Sequence, residues 1–254
     1  MSSVLVPSRF NGPPANGQGG YSAGAVAAYL DGPSAVSLRR PVPLDTELEV
    51  RIERGQADRR GDAERVGGVD HVAARAFDAA GELVIEAIAA PPLARWDAPA
   101  VSLEEARAAA TRFTPPADGR FDHCFVCGRA RDDGFGLFPG RVDGVDLVAA
   151  PWTPPDWAAG ADGTVLPEFV WATLDCPGYF AAFGVDLELA FLARQQSELL
   201  APIQAGVEYV AVGRPLGRDR RKGFAATAIL DPDGTVLAHS EQLWIAPLEG
   251  MSHK

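Results

Sequence analysis

The sequence predicts an α+β fold built twice over: two units, each a buried helix wrapped by a curled antiparallel sheet. Three observations predict it. Apolar and polar residues alternate in short runs punctuated by turn residues. Two stretches of helical length are apolar nearly all round. The same blocks recur in one order in both halves of the 254-residue chain. With 47% apolar and 22% charged residues, the chain can bury enough surface to offset the entropy of ordering, which excludes a disordered protein. No uncharged apolar run reaches the ~18 residues of a membrane span, and the start, Met1 to Pro7, lacks a basic stretch, so neither membrane attachment nor a secretory signal is expected. Three cysteines are too few for a disulfide scaffold and read as reduced thiols in a cytoplasm. A net charge of −11 argues against nucleic-acid binding.

Taking the elements in order, Gly19-Gly20-Tyr21-Ser22-Ala23-Gly24-Ala25-Val26-Ala27-Ala28-Tyr29-Leu30 is small and apolar and stops at Gly32-Pro33, as a buried helix would. Leu48-Glu49-Val50-Arg51-Ile52 alternates at period two, the mark of a strand with one wet face. Val69 to Phe77 and Leu83 to Ala89 are strands joined by Asp78-Ala79-Ala80-Gly81, a hairpin turn. Ser102 and Glu105 form a capping box ahead of the helix-forming run Leu103 to Ala110, and Pro115-Pro116 breaks it. Pro167 opens a second apolar helix running to Asp175, with a kink or stop expected at Pro177. Phe224 to Leu230, Asp231-Pro232-Asp233-Gly234 and Thr235 to Ile245 repeat the strand, turn, strand device.

The repeat extends further. Leu38 to Leu48 lies over Leu199 to Tyr209, Leu30-Asp31-Gly32-Pro33 resembles Leu174-Asp175-Cys176-Pro177, and Leu5-Val6 with Phe10 matches Leu147-Val148 with Trp152. The division that follows is 1–100 for the first unit, 101–119 for a connector and 120–250 for the second. Much of the glycine and proline, 27 and 21 residues, falls at turns common to both units.

These features resemble the hotdog-fold thioesterases, in a double-hotdog arrangement of the PaaI-like kind. Gln18-Gly19-Gly20-Tyr21 is similar to the family's His-Gly-Gly turn at the start of the central helix, with Gln18 in place of the histidine. Asp175 lies eight residues after Pro167, the spacing at which the family sets its catalytic carboxylate after the first glycine of that turn. Cys124-Phe125-Val126-Cys127-Gly128, followed by Gly136-Leu137, is similar to a leader that precedes the hotdog strands in PaaI-like proteins. The resemblance spans most of the chain and implies hydrolysis of an acyl-CoA thioester. A helix N-terminus offers free N–H groups to a developing oxyanion, and a carboxylate attacks or activates water. In single-hotdog dimers the turn of one protomer faces the acid of the other. Laying Gly19 on Pro167 puts Ala27 where the first acid would stand, so one site survives: Gly19 and Gly20 from the first half, Asp175 from the second. The Leu-Asp-x-Pro match would instead pair Asp31 with Asp175.

Around this site, Gln18 and Tyr21 are candidate substrate contacts, and Arg220, Arg221 and Lys222 candidate partners for the phosphates of coenzyme A, although such basic runs are more often solvated loops. Asp175 also reads as a plain helix cap, Glu168 as a dipole-stabilising surface acid, and Gly19-Gly20 as a flexible turn. Cys124 and Cys127 beside His123 invite a zinc or redox reading. A structural zinc needs four ligands and Cys176 is the only other thiol, so buried packing is the expectation and no metal site is assigned. His71 and His239 read as sheet residues. Coenzyme A enters as part of the substrate, with no further cofactor. Pairing of whole chains through sheet edges stays open. The competing function is a non-catalytic acyl-CoA or lipid-binding module, and a purely structural dimerisation protein is a third reading.

Overall fold

The computed structural model describes residues 2–55, 71–184 and 189–248. Its eleven strands make one antiparallel sheet. In chain order the first-half elements are β1 (Ser2–Leu5), α1 (Gly19–Ala27), β2 (Ser34–Leu38), β3 (Glu47–Gly55), β4 (His71–Phe77) and β5 (Leu83–Ala89). Then come α2 (Leu103–Ala110), β6 (Gly140–Arg141), β7 (Val148–Trp152), α3 (Pro167–Phe183), β8 (Phe191–Leu199), β9 (Tyr209–Asp219), β10 (Lys222–Leu230) and β11 (Val236–Ile245). Of the expected strand starting at Val69, the first two residues lie outside the described residues, as do residues 249–250 of the second unit.

The sheet order is β1-β3-β4-β5-β2-β8-β11-β10-β9-β7-β6. Read outward from the centre, each half gives one sequence: the strand after the helix, then the last, the third, the second and the strand before the helix. Among the described residues only the two-residue β6 has no counterpart. The halves meet where β2 pairs antiparallel with β8, Ser34 opposite Ser197 and Val36 opposite Gln195. The repeated hairpins match atom for atom. Asp78 Oδ1 accepts the N–H of Ala80 and Glu82, and Asp231 Oδ1 accepts those of Asp233 and Thr235. Gly81 and Gly234 follow at φ 78° and 83°, a backbone that a Cβ would strain.

Backbone pairing also fixes the register between halves. The Gly17 N–H donates to Val42 C=O (2.9 Å) as Val165 N–H donates to Ile203 C=O (2.8 Å). Bridges Asn11–Gly17 and Asn16–Pro43 recur as Ala159–Val165 and Thr164–Gln204. Gly19 therefore corresponds to Pro167, and Ala27 to Asp175. The Leu-Asp-x-Pro match is a coincidence of composition, since Asp31 sits exposed in the bend beyond α1. The match of Leu5-Val6 and Phe10 to Leu147-Val148 and Trp152 is likewise out of register. β1 and β7 pair with β3 and β9 so that Val4, opposite Leu48, corresponds to Trp152, opposite Tyr209.

α1 and α3 pack together on one face of the sheet and are buried almost throughout, because neither has a polar side to show to water. The contact is close. A Cβ on Gly20 would stand 2.4 Å from the Trp171 carbonyl oxygen, and one on Gly24 2.7 Å from Glu168 Cα. α3 does not stop at Pro177. The proline withholds one N–H, yet the helix continues to Phe183, held by packing on every side. α2 carries the expected capping box, with Glu105 Oε2 accepting the Ser102 N–H (2.8 Å). It lies on the opposite face of the sheet, where Ala106 and Ala109 meet Ala149, Val210 and Val212 in a second, smaller core. Among the described residues no helix is long and apolar enough to cross a membrane.

Candidate active site

The site forms where the N-terminus of α1 meets the middle of α3. Gln18 is the N-cap of α1 and almost wholly buried; its Oε1 accepts the Tyr21 N–H (2.5 Å). Its amide nitrogen donates to Asp175 Oδ2 and, at 3.4 Å, to Ala172 C=O. The Gly20 N–H donates to the same Asp175 oxygen at 2.8 Å. Two donors of the first half thus hold one carboxylate of the second. Asp175 Oδ1 has no hydrogen-bond partner among the described residues. No acceptor for the Gly19 N–H is found among them either. Asp175 is 3% exposed, and this burial pushes its carboxyl from 3.8 up to about 8, against the opposing pull of the Gly20 N–H.

Asp175 lines a cavity of about 460 Å³ together with Gln18, Gly19, Leu192, Tyr179 and Trp244. Arg39, Arg40 and Arg221 line it as well. Arg39 pairs with Glu86 (2.7 Å), Arg40 pairs with Glu82, and Arg221 Nη1 donates to Ala246 C=O (2.7 Å). The arrangement offers an apolar chamber, an acid with one free oxygen, an uncommitted amide at a helix N-terminus, and exposed guanidinium groups for anions.

Four expected contacts change. Tyr21 does not line the cavity. Its ring stacks on Phe10 (4.4 Å between centroids) and meets Phe125 and Phe169, because position 21 lies on the α1 face that turns into the aromatic core. Of the basic run only Arg221 lines the cavity; Arg220 takes φ 52° at the tip of the β9–β10 turn, and Lys222, two residues on, starts β10. Gly20, expected to let substrate approach the backbone, instead lets α3 approach, and its N–H is committed to Asp175. Arg39 and Arg40 were legible only as the charged pair before the repeated proline Pro41.

Two polar rows under α3 had no signal in the sequence beyond a polar residue in an apolar strand. Gln195 Nε2 on β8 donates to Trp171 C=O (3.3 Å) and Ser197 Oγ, and Gln242 Nε2 on β11 donates to Leu174 C=O (2.6 Å). Both glutamines bind helix carbonyls from the sheet below. The cysteines were also separated in sequence. Cys124, Cys127 and Cys176 are buried and all line the cavity. The thiols of Cys127 and Cys176 and the N–H groups of Cys127 and Val126 hold Cys124 below the ordinary thiol range, while Cys127 and Cys176, as donors, are raised. His123 is exposed, His71 opens β4, and His239 stands on β11 with Nε2 3.4 Å from Glu198 Oε2.

No protein-family model matches the sequence, and no curated protein does. Solved structures do. A candidate thioesterase from Novosphingobium aromaticivorans superposes with a TM-score of 0.60 at 12% identity, covering 96% of this chain and 94% of that one. Acyl-CoA thioesterase II TesB2 of Mycobacterium marinum gives 0.58 at 12%, covering 98% and 94%. A conserved protein of unknown function with a hot dog fold, from Alicyclobacillus acidocaldarius, gives 0.53 at 12%, covering 97% and 93%. At such identities the likeness speaks for the fold, and over nearly the full length of each chain it says that this protein has the hotdog fold.

Proposed function

We propose that the protein is a double hotdog of the PaaI-like kind that hydrolyses an acyl-CoA thioester at a single site between its halves. One observation carries this reading: Asp175, buried at an apolar cavity, is held by the Gln18 and Gly20 donors with its second oxygen free. The acyl chain enters the chamber beside Leu192 and Trp244, and the coenzyme A phosphates meet Arg39, Arg40 and Arg221. Asp175 Oδ1 takes a proton from the water that attacks the thioester carbonyl. The Gly19 N–H faces the oxyanion that forms, and the dipole of α1 favours it. Collapse of the intermediate expels the coenzyme A thiolate, which takes up the proton, leaving a carboxylic acid and free coenzyme A. A carboxyl near 8 is matched to this task, since a base tuned near the working pH moves protons best.

A non-catalytic acyl-CoA-binding module is favoured by one feature, that the Gly20 N–H already has its acceptor in Asp175. Release of free coenzyme A, followed across short, long and aromatic acyl-CoAs for wild type and Asp175→Asn, separates the two. Turnover lost in the variant supports hydrolysis at Asp175. Tight binding without turnover in the wild type supports the module, and equal rates in both proteins refute the mechanism.

A further inference from the structure

We propose that Cys124, Cys127 and Cys176 form a three-thiolate site for a thiophilic metal ion, opening on the cavity. Their sulfur atoms all lie within 4.8 Å of one another, and Cys124 Sγ stands 4.0 Å from Cys176 Sγ. Metal–sulfur bonds of about 2.3 Å set sulfurs about 3.8 Å apart in a tetrahedral site, so small side-chain rotations close the set. Two of the thiols come from one loop and the third from the middle of α3, 52 residues away from Cys124.

The loop is shaped around its first sulfur. The Gly128 N–H donates to Cys124 C=O (2.8 Å), and the nearby amides of Val126 and Cys127 help to hold the Cys124 thiol below its ordinary range. A Cβ at Gly128 would stand 2.5 Å from that carbonyl oxygen and 2.6 Å from Asp122 C=O, so the tight turn requires the glycine of Cys-x-x-Cys-Gly. Amide donors on a sulfur favour the thiolate, the form that binds metal. The loop is also fixed in place. Phe125 N–H donates to Asn11 C=O, and Arg131 reaches Asn11 Oδ1, His123 C=O and Arg9 C=O. A pair packed only for bulk needs none of this, nor a third thiol delivered to the same point.

All three cysteines border the cavity, which gives an ion an entry route and leaves a further coordination position for water or a ligand. Asp175, the neighbour of Cys176, is not one of the three ligands but borders the same space. Binding one divalent ion releases the protons of the thiols it coordinates and leaves a site of net charge −1. The inference stands on the thiols and does not depend on thioester hydrolysis.

Cobalt(II) is the probe. The reduced, chelator-treated full-length protein is titrated with Co²⁺ while thiolate-to-cobalt charge-transfer absorption is recorded. One ion per chain is expected, displaced by Zn²⁺. Serine at any one of the three positions should weaken Co²⁺ binding at least tenfold and remove part of the charge-transfer intensity. Because a buried serine can disturb folding, alkylation of the wild type gives a second readout. Zn²⁺ should slow reaction of all three thiols together, and chelator should restore it. Absent charge-transfer absorption, binding unchanged by the serine variants, or thiols that react at one rate with and without Zn²⁺ would each overturn the site. So would a Cys124–Cys127 disulfide that forms in air and a reduced protein that takes up no cobalt.

Discussion

Replacing Asp175 by Asn should damage catalysis and stabilise the protein, and the stabilisation should grow with pH. The carboxyl titrates at 3.8 in an unfolded chain and at about 8 in the fold, raised because burial disfavours its charge. Well below pH 3.8 it is protonated in both states and contributes no difference. As pH rises, the unfolded chain gives up this proton first, so the wild type loses stability until the folded carboxyl ionises near pH 8, and nothing more beyond. Four units at 1.36 kcal/mol each set an upper bound of about 5–6 kcal/mol, and local relaxation brings the expected loss to about 2–5 kcal/mol. Asn keeps a carbonyl oxygen for the Gln18 and Gly20 donors and has no charge to bury. Urea unfolding of both proteins at pH 4.5, 7 and 8.5, in chelator, measures the gap directly. It should widen from about 1 kcal/mol or less at pH 4.5 to at least about 2 kcal/mol at pH 8.5, while thioester turnover falls by about 10²–10⁴. A gap that does not change with pH, or a variant less stable at pH 8.5, would refute the buried-acid argument.

Three further outcomes follow from the same geometry. In chelator, kcat/KM of the wild type should rise about tenfold per pH unit and level off near pH 8, and Gln18→Leu, which removes one donor from the carboxylate, should move that bend up by about one unit in a pH–rate profile. Gly20→Ala should cost about 1–3 kcal/mol in urea unfolding, because its Cβ meets a helix carbonyl at 2.4 Å, whereas Gly19→Ala meets the flexible Leu192 side chain at 3.0 Å and should cost less. Arg221→Ala should raise KM for an acyl-CoA about tenfold with kcat held, and leave KM for the acyl-pantetheine thioester unchanged, as steady-state assays with the two substrates will show.

What the sequence made legible is what local chemistry decides. Ser102 with Glu105, and Asp78 to Gly81 with Asp231 to Gly234, satisfy their own backbone within a few residues, so each could be read where it stands. The register Gly19-on-Pro167 was legible because both residues start a helix, which made Asp175 stand out against Ala27. The rest depended on distance. The aromatic core that claims Tyr21 is assembled from Phe10, Phe125 and Phe169, and nothing near position 21 announces it. Pro177 reads as a helix breaker only while the helix is imagined in water. Enclosed on all sides, the helix has no solvated alternative to adopt, and losing one hydrogen bond does not end it.

The same reasoning explains why a fold with two equivalent helix ends buries an acid at only one of them. A pseudo-twofold arrangement offers each α-helix N-terminus to the middle of the other helix, so two carboxylates and two glycine turns could have been kept. At the second crossing the N-cap is Leu166 in place of Gln18, the first helical residue Pro167 in place of Gly19, and the mid-helix residue Ala27 in place of Asp175. Each change removes a polar demand: no amide to donate, no free N–H at the helix start, no charge to bury. A buried carboxylate without its side-chain donor would cost several kcal/mol, so losing that donor and losing the acid belong together. Restoring only the acid, as Ala27→Asp, should therefore destabilise the protein by at least about 2 kcal/mol at pH 8 and add no turnover, whereas a second functional site appearing from that single change would show that a site needs neither a Gln18-like amide donor nor a free N–H like that of Gly19.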